Sequence, residues 1–291
     1  MKVLNFGSIN IDKVYQVSHF VRPGETLSAE KLDVVLGGKG ANQSIALARA
    51  GVQVKHFGAI NRSDGWIIDY LAENQVDTSW IELVDSPSGH AIIQVDQSAE
   101  NSILLFGGAN RIFSRERIRA AISELDTGDW LLLQNECNGI DWAIEAAREQ
   151  GVNVAFNPAP MTPEVSRLPL DDIDLLFVNQ IEAADLAGTD SAQEALRILN
   201  ERYAETTLVM TLGAEGALLS SSSEHIRLPA KPVKAVDTTG AGDTFVGFFL
   251  ASIIQGLSHE ASLNRAITAS SIAVTRHGAS PSIPYSTEVT E

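Results

Sequence analysis

Short apolar runs separated by stretches of helical periodicity constrain this chain more than any other feature. KVLNFGSI (2–9) reads as a buried strand, NQSIALARAG (42–51) as a helix closed by Gly51, and VKHFGAI (54–60) as a second strand. The alternation returns in DWLLLQ (129–134), GIDWAIEAAREQG (139–151), VNVAFNP (152–158), DLLFVN (174–179), AQEALRILNERY (192–203) and TLVMTLG (207–213). Strands joined through helices pair in parallel, and strands this uniformly apolar are buried on both faces. The pattern therefore predicts an α/β fold with a mostly parallel sheet covered on both sides.

Two segments break the rhythm. Residues 12–36 and 89–106 contain strand-like runs without helices between them, and GHAIIQVDQSAENSILLF has the turn-rich centre of a hairpin. They fit either a small sheet standing off the main one or an ordinary antiparallel edge. In an open α/β sheet ligands bind beyond the carboxyl ends of the strands, where a small sheet would act as a cover. No repeat or linker marks a boundary, so residues 1–291 read as a single α/β domain with these segments inserted.

The formal charge of −16, from 37 acids and 21 bases, predicts repulsion of nucleic acid and anionic membranes. No run approaches the ~18 apolar residues of a spanning helix, and MKVLNFGSIN is too short in apolar residues for a signal peptide, so the expected compartment is the cytoplasm. Cys137 is the single cysteine, which rules out an internal disulfide and a thiolate zinc cluster; no HExxH occurs.

The glycine motifs fail the familiar nucleotide fingerprints. Gly240-Ala241-Gly242 is followed by Phe245 where a dinucleotide motif needs glycine, Gly38-Lys39-Gly40 by Gln43, and Lys39 lacks the upstream glycine of a P-loop. DTTGAGDTFVGFFLA (237–251) instead reads as a tight turn entering a buried helix at about Gly242. Free N–H groups at such a start form an anion site suited to a transferring phosphoryl group. Asp243 is then either a helix cap or a base beside that site; a side-chain-free GAG turn favours the base.

With GGKGANQSIALARAG (37–51) and DTTGAGDTFVGFFLA (237–251) go GSINID (7–12), PGET (23–26), NPAP (157–160), TLGAEGA (211–217) and IAVTRHGASPSIP (272–284). In this order the seven motifs resemble the ribokinase-like, PfkB-type carbohydrate kinases nearly end to end. The resemblance implies a three-layer α/β/α core with a small β-sheet lid, ATP-dependent phosphorylation of a sugar's primary alcohol, and a homodimer through the lid.

Carried over residue by residue, the resemblance makes Asp243 the catalytic base and the backbone of Gly240, Ala241 and Gly242 the anion hole. Asn10, Asp12, Gly38, Lys39, Asn42 and Glu136 would bind the sugar, with Gly37 to Gly40 leaving it room to approach the backbone. Asn179 and Glu182 would order Mg²⁺ and phosphates through water, and Thr211, Gly213 and Gly216 would hold the nucleotide with Gly242. A K⁺ site would use Asp237 and Thr239, the backbone at Ala273, Arg276 and Gly278, and Ser282.

Several residues depart from the ribokinase pattern: His90, Gly108 and Arg111 near the sugar, the QNECN context of Glu136, and Ile267 near adenine. They leave open whether the acceptor is ribose, another sugar or a nucleoside. A catalytically silent sugar-binding protein is the reading from a different class, and the intact GAGD sequence argues against it.

Overall fold

The computed structural model describes residues 1–98 and 100–290. In chain order the elements are β1 (Val3–Phe6), β2 (Asn10–Gln16), β3 (Lys31–Gly37), α1 (Lys39–Arg49), β4 (Val54–Asn61), α2 (Trp66–Glu73) and β5 (Asp77–Val84). Then come β6 (Gly89–Val95), β7 (Asn101–Phe106), α3 (Arg115–Ile122), β8 (Trp130–Gln134), α4 (Ile140–Gln150), β9 (Asn153–Asn157) and β10 (Leu175–Asn179). The remainder is α5 (Gln180–Ala187), α6 (Ala192–Arg202), β11 (Thr207–Thr211), β12 (Ala217–Ser220), β13 (His225–Leu228), α7 (Ala241–Ile254) and α8 (His259–Ala273).

Nine strands form one sheet in the order β13-β12-β11-β10-β9-β8-β1-β4-β5, parallel except where β12 and β13 join antiparallel at one edge. Each face carries its own apolar core. Helices α1, α7 and α8 pack on one side through Ile45, Leu47, Phe248, Phe249 and Leu263; α3 to α6 cover the other through Ile118, Ile144, Leu186 and Leu199. The expected three-layer architecture is what the chain forms. Fully burying a side chain such as Phe248 contributes roughly 1.5–3 kcal/mol, which is why α7 is apolar all round rather than amphipathic.

The two misfit segments build a separate four-stranded sheet, β3-β2-β6-β7, in which β2 and β6 pair in parallel and the outer pairs are antiparallel. Its strands begin at Asn10, two residues before the expected 12. The first expected strand, 2–9, is correspondingly too long. The chain leaves the large sheet at Gly7, where Gly40 approaches so closely that a Cβ on either glycine would overlap the other backbone. Helix α1 starts three residues earlier than the apolar spacing indicated, and Gly51, with φ +93, lies one residue past the C-cap Ala50.

Candidate active site

Three cavities lie beyond the carboxyl ends of β8 to β11. The central one, about 230 Å³, is lined by Lys39, Asn157, Asn179, Glu182, Thr211, Gly240, Gly242 and Asp243. On one side, a cavity of about 390 Å³ is walled by Asn10, Leu105, Phe106, Asn110, Arg111 and Glu136. On the other, one of about 420 Å³ shares Thr211, Thr238, Gly242 and Phe245 with the central cavity. The small sheet supplies Asn10 from β2 and Leu105 and Phe106 from β7, so it forms a wall of the second cavity.

Asp243 sits in the first turn of α7, buried, and does not cap its own helix; Gly240, with φ +73, occupies the cap position. Its carboxylate turns across to α1. Asn42 Nδ2 donates to Oδ2 at 3.0 Å and Gln43 Nε2 donates to Oδ1 at 2.9 Å. Such side-chain partners hold a carboxylate ready for chemistry in a way that a helix cap would not. Of the amides expected to form the anion hole, Ala241 N–H donates to the Thr238 carbonyl at 3.2 Å, closing the turn. Gly242 and Asp243 N–H belong to the unpaired set that every helix start presents.

Lys39 and Asn42 come from the start of α1. The Lys39 ammonium lines the central cavity rather than the sugar-side one, and Asp243, ahead of Glu136 and Glu182, holds it above its ordinary pKa against the opposing effect of burial. Asn42 Oδ1 is buried without a partner, an acceptor awaiting a donor. The expectation that Gly37 to Gly40 leave room for a ligand is corrected. A Cβ on Gly37 would strike the Asp12 carboxylate, one on Gly38 would lie 2.8 Å from the Asn10 nitrogen, and one on Gly40 would strike Gly7. The glycines let protein backbone approach protein.

Asn10 and Asp12 follow each other at a spacing of two along β2 and so face the same side of the small sheet. Asn10 Oδ1 accepts from Asn110 Nδ2 at 2.8 Å. Burial, aided by the Glu136 charge, pushes Asp12 up to about 6. Glu136 is buried just past β8; its Oε2 accepts from Ser8 Oγ and from Lys39 N–H, the latter at 3.0 Å. Arg111 is fixed by a 3.1 Å hydrogen bond to the Cys137 carbonyl. His90 stands behind the cavity wall, its ring 5.1 Å from that of Phe106.

Asn179 and Glu182 form a reciprocal capping box on α5, each side chain accepting from the other's backbone N–H at 2.9 Å. The same N-x-x-E spacing thus has a folding role beside any ligand role, and Glu182 Oε1 is left without a protein donor among the described residues. Burial raises the Glu182 pKa. Thr211, Gly213 and Gly216 border the third cavity with Ala230 to Val233, Ile267, Ser270 and Val274. Gly216 is also required structurally, since a Cβ there would overlap the Leu228 carbonyl.

The two loops expected to hold a monovalent cation meet at Asp237. Its Oδ1 accepts from Thr239 N–H at 2.9 Å and its Oδ2 from Gly278 N–H at 2.8 Å. Partial burial opposes ionisation, but these bonds outweigh it and hold the carboxyl below its usual range. Ala273 ends α8 and Arg276 and Ser282 follow it, and none of the three bonds Asp237: the Ala273 carbonyl accepts from Arg276 N–H, and Ser282 Oγ donates to the Ala279 carbonyl at 2.7 Å. The donors are all oxygen, as K⁺ requires. No cluster of three His, Cys, Asp or Glu occurs among the described residues.

Sequence reasoning missed Gln43, the second anchor of Asp243, and the buried Asn5, His56 and Gln134 behind it. The signal was present: Asn5, His56 and Gln134 are polar residues embedded in, or ending, largely apolar strands, and Gln43 is a polar residue in the first turns of the buried α1, where burial demands a partner. The third cavity's Ala230 to Val233 wall gave no signal, because it is an irregular segment between β13 and α7.

Residues 1–285 match the family model described as pfkB family carbohydrate kinase. The ribokinase of Haemophilus influenzae is 36% identical over 296 residues, covering 98% of this chain and 96% of that protein. Among solved structures, the ribokinase of Cryptococcus neoformans in complex with ADP superposes with a TM-score of 0.88 at 33% identity, covering 99% of this chain and 98% of the other. The Arabidopsis thaliana ribokinase complexed with ribose and ATP gives 0.87 at 30% identity, covering 99% and 96%. With its fold, its buried Asp243 at a glycine-capped helix start and these relatives in agreement, the chain belongs to the pfkB family of carbohydrate kinases, phosphotransferases that act on an alcohol group.

Proposed function

We propose that the protein transfers the γ-phosphoryl group of ATP to the primary hydroxyl of ribose, with Asp243 as general base. The observation that carries the reading is the position of Asp243. It is gripped by Asn42 and Gln43 beside a central cavity flanked by two others, to which we assign the sugar and the nucleotide. The relatives named ribokinase, one of them complexed with ribose and ATP, support the substrate pair.

In this reading the sugar lies between Asn10, Asp12 and Glu136 on one side and the unpartnered Asn42 Oδ1 on the other, with its hydroxyl against Asp243. Asp243 takes the hydroxyl proton as the oxygen attacks in line. The free amides at the α7 start and the Lys39 ammonium face the charge that builds on the phosphoryl oxygens; Ala241 N–H joins them only if its turn bond to Thr238 opens. Adenine occupies the cavity between Gly213, Val233 and Ile267. Asn179 and Glu182 would hold Mg²⁺, which when bound would neutralise phosphate charge, and the loops meeting at Asp237 would hold K⁺.

The small sheet acts as a lid whose closure excludes water. All six residues of β7 are exposed, with Ile103 at 59% and Leu104 at 67%, and Leu32 and Val34 of β3 at the opposite edge are about half exposed. Open apolar edges of this kind need covering, which supports a homodimer through the lid. Among the described residues no helix is long and apolar enough to cross a membrane, and we place the protein's work in the cytoplasm.

Turnover of MgATP, with K⁺ present, against ribose, 2-deoxyribose, fructose and nucleosides tests the reading. Selective turnover of ribose is expected. Selective turnover of another acceptor would keep the chemistry and move the specificity to Arg111 and His90, the two side chains near this cavity that depart from the ribokinase pattern.

A further inference from the structure

Behind Asp243 lies a chain of buried amides. Gln43 Nε2 donates to Asp243 Oδ1 at 2.9 Å and to Asn157 Oδ1 at 3.2 Å. Gln43 Oε1 accepts from Gln134 Nε2 at 2.8 Å, and the same Nε2 donates to Asn5 Oδ1 at 2.9 Å. Asn5 Nδ2 donates in turn to the Gly40 carbonyl and to Ser44 Oγ, both at 2.8 Å, while Asn157 Nδ2 donates to the Phe177 carbonyl at 3.1 Å. Asn5, Gln43 and Gln134 are wholly buried.

The direction of every amide in this chain is forced. A carbonyl can only accept, so Gly40 dictates that Asn5 turns Nδ2 toward it and Oδ1 toward Gln134. Gln134 must then present Nε2, which obliges Gln43 to turn Oε1 back to Gln134 and Nε2 forward to Asp243. Phe177 fixes Asn157 by the same rule, and its Oδ1 agrees with that orientation. A flipped Gln43 would set an oxygen against the carboxylate at hydrogen-bonding distance inside a buried site.

We propose that Gln43 is a positioning residue for the base, and that Gln134 sets the direction of its amide from behind. With Asn42 on one carboxylate oxygen and Gln43 on the other, the plane of the Asp243 carboxylate is held and its remaining lone pairs keep one direction. The inference rests on Asp243 being the base.

Steady-state kinetics of the full chain with MgATP and its best sugar test it, with Tm recorded for each variant. Gln43→Met keeps the length and removes the donor; kcat should fall about ten- to a hundredfold while the KM for ATP stays within about twofold. Gln134→Met leaves every contact of Asp243 in place, so it keeps the test decisive where Gln43→Met folds poorly. It should lower kcat about threefold, and by less when Gln43 is already Met, because it acts through that residue. Wild-type kcat in either single variant, or losses that simply multiply in the pair, overturns the proposal. Asp243→Asn separates the two failures: full activity there removes the base itself, whereas an inactive Asp243→Asn beside a fully active Gln43→Met removes only the positioning role.

Discussion

Substituting Gly247 with alanine should slow the chemistry although the residue touches no substrate. Gly247 lies one turn beyond Asp243 on α7, and Ala46 lies one turn beyond Asn42 on α1. An added Cβ would come 3.0 Å from both the Ala46 carbonyl carbon and the Leu47 nitrogen, and nearer still to Ala46 Cβ. Ordinary carbon contacts are about 3.5–4.0 Å, so with Ala46 Cβ the nearest of the three atoms the two helices must separate by roughly one ångström or more directly below the bonds from Asn42 and Gln43 to Asp243. Backbone cannot yield as a flexible side chain would, and overpacking of this kind costs about 1–3 kcal/mol. A displacement near 1 Å at a reacting group costs on the order of 10²-fold. Gly247→Ala should therefore lower Tm by several degrees and kcat by about ten- to a hundredfold, read by thermal denaturation and coupled ADP release. Ala46→Gly in the same chain should restore part of both. A variant with wild-type Tm and kcat would show that the helix contact does not set the geometry of the base.

Asp243→Asn preserves shape but not basicity, and kcat should fall by about 10² or more with ATP affinity by calorimetry little changed; near-normal turnover would remove the assignment. Asp12 has a folded-state pKa of about 6, above the unfolded value near 3.8, because burial and then Glu136 disfavour its charge. Its ionisation therefore costs stability as pH rises from about 4 through 6, and the Tm gain of Asp12→Asn over the parent should be larger at pH 7.5 than at pH 4.5. An equal gain at both would contradict the environment described for Asp12. Leu104→Asp, on the exposed β7, should convert a dimer to monomer in sedimentation velocity, whereas an unchanged mass would exclude the lid as the interface.

The parallel core was legible because its strands, such as Leu131 to Leu133 and Leu175 to Val178, are apolar on both faces, and its helices carry caps and periodicity. Asp243 and the GAG turn were legible for a related reason: a chemical motif that lies in one short stretch keeps its meaning in one dimension. Strands β5 and β13 escaped because these edge strands alternate more and less exposed residues and lack the apolar run, and β12 escaped because it is only four residues long. The reason for Gly38 and Gly40 was hidden too, since the atoms that exclude a Cβ belong to residues 7 to 10, some thirty positions away. Amino-acid order by itself thus determined the layers, helix α7 and the place of Asp243, the proposed base, in its first turn. Tertiary structure decided how that base is held. Its anchors Asn42 and Gln43 stand 201 and 200 residues before it, and the direction of the Gln43 amide depends on Gln134 and Asn5 from two further strands. Hydrogen bonds are directional and short, so only packing of α1 against α7 and the sheet can say which of many polar side chains meet.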